Sequence, residues 1–140
     1  MARILIAEDE EAIRSLVARA LAQDGHAVMT ACDGAEALDL MQREMGAFEL
    51  LLTDIRMPLM DGIALALATA RDYPAITILL MTGYADQRER ASGLERLIHD
   101  VVNKPFSLAT IRAAVAGALA AGEQRRNAPL PSRTEGISYP

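Results

Sequence analysis

Charged and hydroxyl side chains stand at the ends of four apolar runs in this sequence. Glu8 and Asp9 follow the first run, Asp54 follows a second, Thr82 a third and Lys104 the last. If these runs are parallel strands, their carboxyl ends meet at one edge of the sheet. Three acids converging there would repel one another by roughly 1–4 kcal/mol per pair at about 4 Å. The pattern therefore predicts a bound cation among them.

The types of ligand indicate which cation this is. Side-chain oxygens without His or Cys favour Mg²⁺, which takes one or two carboxylates and keeps several waters. Lys104 adds a second positive charge, and Pro105 restricts the backbone that carries it. A cation, an ammonium and the Thr82 hydroxyl can together neutralise or hydrogen-bond the oxygens of a phosphoryl group. The predicted chemistry is therefore phosphoryl transfer at an Mg²⁺ site.

Asp54 is the predicted acceptor of that group. It ends the central apolar run, and carboxylates can form aspartyl phosphates. In the loop that follows, Pro58 fixes the chain and Gly62 begins the next helix, which leaves room above Asp54. Taken alone, an acid after a strand is more often a helix cap or turn residue. The combination of Asp54 with the polar residues at the other strand ends favours a role as the phosphoryl acceptor.

Five short apolar runs predict strands, at 3–7, 26–30, 50–53, 76–81 and 100–102. Helical patterns predict helices at about 13–21, 34–45, 62–71 and 87–97, and from 108 onward. Because the runs show little polar alternation, both faces of the sheet must be covered. The predicted fold class is therefore α/β, with a parallel sheet between two layers of helices.

Length and composition restrict the remaining choices. The 140 residues fit one domain, and a net charge of −5 argues against a nucleic-acid surface. No apolar run is long enough to span a membrane and no signal peptide is visible, so a cytoplasmic location is expected. From about residue 122 the composition turns polar and proline-rich. We therefore predict a domain at 1–121 and a flexible tail at 122–140.

Over about residues 3–121 the sequence resembles the receiver domain of two-component response regulators, the CheY-like family. Five motifs in order carry the resemblance: Glu8-Asp9, Asp54, Pro58 and Gly62 at the fourth and eighth positions after Asp54, Thr82-Gly83, and Lys104-Pro105. The resemblance implies a flavodoxin-like (βα)5 fold. Its five-stranded parallel sheet has the order 2-1-3-4-5, with helices on both faces.

The resemblance also implies a function. Asp54 would accept a phosphoryl group from the phosphohistidine of a sensor histidine kinase or a histidine phosphotransfer protein. The side chains of Glu8, Asp9 and Asp54 and the backbone carbonyl of Arg56 would hold Mg²⁺, while Thr82 and Lys104 would bind the phosphoryl oxygens. The resemblance implies a switch rather than an enzyme, with the capacity to catalyse its own phosphorylation and dephosphorylation.

Two positions depart from the pattern of the family. Glu8 stands where Asp is commoner, and Val101 stands where a Tyr or Phe often serves as a rotating switch. Tyr84 offers an aromatic ring close to Thr82. Two interpretations of Tyr84 stay open, a substitute switch residue and a loop aromatic that controls access of water to the acyl phosphate.

The 19 residues after Ala121 are too few for a DNA-binding module, so we expect a stand-alone receiver that signals through protein contacts. The sequence is also similar to receivers of the CpdR type, which connect phosphorelay state to regulated proteolysis. The downstream protein is not readable from the sequence. The resemblance leaves two outputs open, a protease adaptor system and a phosphorelay intermediate.

Two other classes of protein use similar elements. A Mg²⁺-dependent aspartyl-phosphate phosphohydrolase typically needs a second acid two residues after the nucleophile, and Arg56 stands there. A flavin-binding electron carrier needs a phosphate loop after the first strand, where Glu8 and the three acids after it would repel the phosphate. The receiver interpretation is therefore preferred.

Overall fold

The computed structural model describes residues 1–83 and 89–128. The strands in this part are β1 (Arg3–Ala7), β2 (Ala27–Ala31), β3 (Leu50–Asp54), β4 (Thr77–Thr82) and β5 (Asp100–Asn103). The longer helices are α1 (Glu11–Gln23), α2 (Gly34–Arg43), α3 (Gly62–Asp72) and α4 (Leu108–Asn127). All strand pairs are parallel, in the order β2-β1-β3-β4-β5. The predicted fold class and strand order are confirmed.

Two apolar layers hold the helices on opposite faces of the sheet. On one face α1 and α4 cover β1 and β3, with Val17 and Ile111 buried against Ile4. On the other face α2 and α3 cover the same strands, with Met41 and Leu65 in the cluster. The residues of β3 and β4 are buried throughout, because helices lie on both sides. The strands that carry the predicted site are therefore fixed from both faces.

Side chains at the predicted starts of helices cap them. Asp33 accepts a hydrogen bond from the backbone N–H of Glu36 (2.8 Å), and Ser107 accepts one from that of Thr110 (3.0 Å). Asp61 caps α3 in the same way through the N–H of Ala64 (2.9 Å). Each cap pairs a donor that the first turn of a helix leaves unpaired.

The segment between β4 and β5 differs from its prediction. A helix was expected at about 87–97. Residues 87 and 88 lie outside the described residues, 89–91 is helical, and turns occupy most of 92–97. Ser92 contributes to this ending because its hydroxyl and its N–H both donate to the carbonyl of Glu89, at 2.7 and 3.1 Å. Gly93 adds its low helix propensity. We call residues 89–99 the linking segment.

The last helix also continues further than expected. α4 ends at Asn127, beyond the predicted boundary at residue 121. Gly122 is buried at a point where an added Cβ would lie 2.3 Å from Oγ1 of Thr77, so close packing against β4 extends the helix. The predicted flexibility of the tail at 129–140 lies outside the described residues. Among the helices described, none is both long and apolar enough to cross a bilayer.

Candidate functional site

The ends of β1 and β3 bring three carboxylates together. Glu8 and Asp9 follow β1, Asp54 ends the adjacent β3, and one oxygen of each lies within 4.8 Å of the others. Glu8 and Asp54 are buried, whereas Asp9 is exposed. A set of three carboxylates, open to solvent on the side of Asp9, suits a hard divalent cation that keeps some of its waters.

Lys104 reaches this acidic cluster from the far side of β4. Its Nζ forms an ion pair with Oε1 of Glu8 and lies 3.1 Å from Oδ2 of Asp54. The backbone N–H of Lys104 donates to the carbonyl of Thr82 (2.7 Å), and the Lys104–Pro105 peptide bond is cis. The lysine side chain is 15% exposed. The ammonium therefore approaches the acids from a position that neighbouring backbone fixes.

The proximity of these charges shifts two pKa values. Burial raises the pKa of Glu8 from 4.5 to about 7. The hydrogen bond from Lys104 opposes this rise, and the negative charge of Asp54 adds to it. Burial works to lower the pKa of Lys104, but its contacts with Glu8 and Asp54 outweigh that effect and raise it. Near neutral pH, Glu8 is thus partly protonated unless a further cation is present.

The residues after Asp54, the predicted acceptor, form a loop that packs against Asp54 itself. We call residues 55–61 the acceptor loop. The N–H of Gly62 donates to the carbonyl of Ile55 (2.7 Å), and a Cβ on Gly62 would lie 2.0 Å from the backbone oxygen of Asp54. Pro58 and Arg56 are exposed within this loop. Glycine is required at 62 because α3 begins in direct contact with the backbone of Asp54.

A cavity of about 670 Å³ opens above Asp54. Asp9, Asp54 and Lys104 line its polar side, together with Arg56, Gly83 and Pro105. Its apolar wall comprises Ile13, Leu16 and Phe106. Leu16 is 51% exposed, so it contributes to this wall rather than to the core. The buried residues of this helix are Val17, Ala20 and Leu21, and Ile13 packs partly buried against the same cluster, so the helical period alone did not reveal the wall.

The other predicted positions lie around the same edge of the sheet. Thr82 is buried at the end of β4, and an added Cβ on Gly83 would stand 3.6 Å from Cβ of Lys104. Val101 is half-buried and packs against the cluster beneath α2 and α3. Tyr84 lies outside the described residues. The structure thus brings together the acids and the lysine, with Thr82 at the adjacent strand end.

Comparison with known proteins identifies the family. The family model for the response regulator receiver domain matches residues 4–116. The chain belongs to this family. Its fold, the parallel order β2-β1-β3-β4-β5, is that of the solved receiver domains it resembles.

Three relatives illustrate the range of similarity. The response regulator receiver protein CpdR of Brucella abortus is 39% identical over 108 residues, which are 77% of this chain and 88% of CpdR. The sensor kinase CckA of the same organism is 34% identical over 107 residues, 76% of this chain and 11% of CckA. The response regulator TrrA of Thermotoga maritima, solved in complex with Mg²⁺ and BeF, is 30% identical with a TM-score of 0.73, covering 84% of this chain and 99% of TrrA.

Several other relatives are much longer proteins. The chain spans 45% of the transcriptional regulator ycf27 of Guillardia theta and 28% of the regulator NtrC of Klebsiella pneumoniae. Receiver domains therefore occur in this set with different neighbouring segments. The part that matches is the receiver domain, which in this chain carries the acidic cluster.

Proposed function

We propose that Asp54 accepts a phosphoryl group from the phosphohistidine of a sensor histidine kinase or a histidine phosphotransfer protein. The observation that carries the proposal is the position of Lys104, whose Nζ contacts both Glu8 and Asp54 within the cluster of three acids. A lysine that bridges the acceptor and its acidic neighbour suits the extra negative charge of an acyl phosphate. The protein acts as a switch rather than as a classical enzyme.

The acidic cluster fits Mg²⁺ because it offers only oxygen ligands. Glu8, Asp9, Asp54 and the backbone carbonyl of Arg56 would hold the ion, which would neutralise charge on the transferring group. TrrA, a relative solved with Mg²⁺ and BeF, supports this assignment. The ion would also replace the proton that burial favours on Glu8.

In the proposed reaction an oxygen of the Asp54 carboxylate attacks phosphorus. The bond from phosphorus to the histidine nitrogen breaks, and its electron pair stays on the imidazole. The Lys104 ammonium and the Thr82 hydroxyl bind phosphoryl oxygens as the charge shifts onto them. Gly83 and Pro105 keep the approach of Lys104 open and fixed, and Pro58 and Gly62 shape the loop on the other side of Asp54.

The donor must place its histidine next to Asp54, and the cavity above Asp54 offers a surface for this. The apolar wall of Ile13, Leu16 and Phe106 lies beside the acids, so an apolar patch on the donor could dock there. The similarity to CpdR and to part of CckA supports a place in a phosphorelay, in the cytoplasm. For the output, a CpdR-like proteolysis adaptor and a phosphorelay intermediate are both consistent with the similarity to CpdR.

The test is labelling with radioactive acetyl phosphate. We expect wild-type protein to incorporate label when Mg²⁺ is present and to incorporate none when EDTA is present from the start. Asp54→Asn should take up no label, because an amide is not a nucleophile of this kind. Asp39→Asn is the matched control, since Asp39 is an exposed acid of α2 whose ion pair is with Arg43. Equal labelling of Asp54→Asn and wild type would refute the proposal.

A further inference from the structure

An ion pair connects the acceptor loop with the linking segment. Nη2 of Arg90, near the start of the described linking segment, lies 2.6 Å from Oδ2 of Asp61. Asp61 is the last residue of the acceptor loop and the N-cap of α3. The pair therefore joins two parts of the chain that both border the carboxyl edge of the sheet.

Asp61 is held on two sides at once. Its Oδ1 accepts the N–H of Ala64, and its Oδ2 accepts Arg90. Through the next residue, Gly62, the same turn rests directly on the backbone of Asp54. A continuous series of contacts thus runs from Asp54 through Gly62 and Asp61 to Arg90.

Few side chains of the linking segment are buried in the protein core. Ala91 and Leu94 are its buried side chains, and most of its other residues are exposed. Val101, on the adjoining β5, has no aromatic ring that could rotate between a buried and an exposed position. The Asp61–Arg90 pair is the ion pair that joins the acceptor loop to this segment within the described residues.

We propose that Arg90 is a positioning residue that transmits the state of Asp54 to the linking segment through Asp61. The inference rests on the proposed phosphorylation of Asp54. A phosphoryl group adds negative charge beside the acceptor loop, and any adjustment there moves the N-terminal end of α3 and the Asp61 carboxylate. Arg90 follows that movement while the ion pair holds. An exposed pair of this kind changes an equilibrium by up to about fivefold, at the lower end of known allosteric couplings.

The test uses amide NMR with Mg²⁺ and beryllofluoride as the probe that loads Asp54. In wild type we expect chemical-shift changes in the acceptor loop and also at Ala91, Gly93 and Leu94. In Arg90→Gln we expect the acceptor-loop changes to persist and those of the linking segment to shrink at least twofold. Arg90→Lys, which keeps the charge, should recover part of the response.

Matched variants separate transmission from simple loss of charge. Arg96→Gln removes an arginine from the same segment, and Arg96 forms no ion pair with any residue that the structure describes, so its response should equal that of wild type. Asp61→Asn keeps a good helix cap but removes the charged partner, so it should resemble Arg90→Gln. The double variant should be no worse than either single one, since both remove the same contact.

The outcomes distinguish the inference from the function on which it rests. If the wild-type acceptor loop does not respond to the probe, the proposed loading of Asp54 fails. If that loop responds and the linking segment of Arg90→Gln changes as much as that of wild type, the role of Arg90 is overturned while the proposed function stands. A reduced response in Arg96→Gln equal to that in Arg90→Gln would also overturn it.

Discussion

The acceptor loop and the linking segment both follow strands of the central sheet, yet they are packed very differently. In the first, Gly62 lies against the backbone of Asp54 so closely that an added methyl group would clash. In the second, a Cβ on Gly93 would meet no described atom within 4 Å. Phosphoryl transfer requires fixed positions, whereas a surface that responds to it needs alternatives of similar free energy. The tight packing of the acceptor loop suits the proposed phosphoryl transfer, and the open packing at Gly93 suits the proposed response of the linking segment.

The largest expected effect tests this contrast with one kind of substitution in both regions. Gly62→Ala should lower the free energy of unfolding by more than about 3 kcal/mol, because the backbone of Asp54 and Ile55 must move to admit the added methyl group. Gly93→Ala should change it by about 1 kcal/mol or less, with stabilisation the expected sign. Urea denaturation of the metal-free proteins measures both values.

Labelling with acetyl phosphate provides a second measurement on the same pair of variants. Gly62→Ala should label more slowly than wild type, since the acceptor carboxylate is displaced, and Gly93→Ala should label at the normal rate. If the two variants unfold within about 1 kcal/mol of each other, the two regions do not differ in rigidity as described.

The sequence was sufficient to predict the acceptor edge because two simple patterns coincide there. The uniform apolar runs of β1, β3 and β4 determine that the sheet is buried on both faces, and the polar residues at their ends must then meet. Glu8, Asp54 and Lys104 were placed together on this ground alone. The sequence did not reveal how deeply each acidic side chain is buried. The burial of Glu8 and the exposure of Asp9, its neighbour, depend on how the chain turns after β1.

The second prediction concerns the pH dependence of the acceptor edge. The pKa of Glu8 is raised to about 7 in the folded, metal-free protein, from 4.5. The folded state therefore binds this proton more tightly than the unfolded state, which stabilises the protein below pH 4.5. That contribution is lost as the pH rises through 7, and roughly 2–3 kcal/mol should disappear between pH 5 and pH 8. Urea denaturation at both pH values tests this.

Adding Mg²⁺ should reverse much of this loss. The ion competes with the proton for Glu8, so its stabilising effect should be larger at pH 8 than at pH 5. Glu8→Gln is the control, because it cannot titrate and should show a smaller decrease across the same range. A wild-type protein as stable at pH 8 as at pH 5 without Mg²⁺ would contradict the raised pKa.

The linking segment was harder to predict because no single strong pattern governs it. The expected helix at 87–97 rested on scattered apolar residues, and the hydrogen bonds of Ser92 and the flexibility of Gly93 end it early. The ion pair from Arg90 to Asp61 joins residues 29 positions apart, and no spacing rule links them. Such contacts depend on the final packing, which a periodic pattern does not specify.

The smallest expected effect is at Ser92, where the linking segment departs from a helix. Its hydroxyl and N–H both occupy the carbonyl of Glu89, the acceptor that the N–H of Gly93 would use in a continuing helix. Ser92→Ala removes the hydroxyl, one of the two donors on that carbonyl, so we expect global stability to change by less than about 0.5 kcal/mol while amide exchange at Gly93 slows. Gln42→Ala on α2 serves as an exposed control that should leave this exchange rate unchanged. Unchanged exchange in Ser92→Ala would mean that Gly93, rather than Ser92, ends the helix, and the substitution Gly93→Ala would then be the one that extends it.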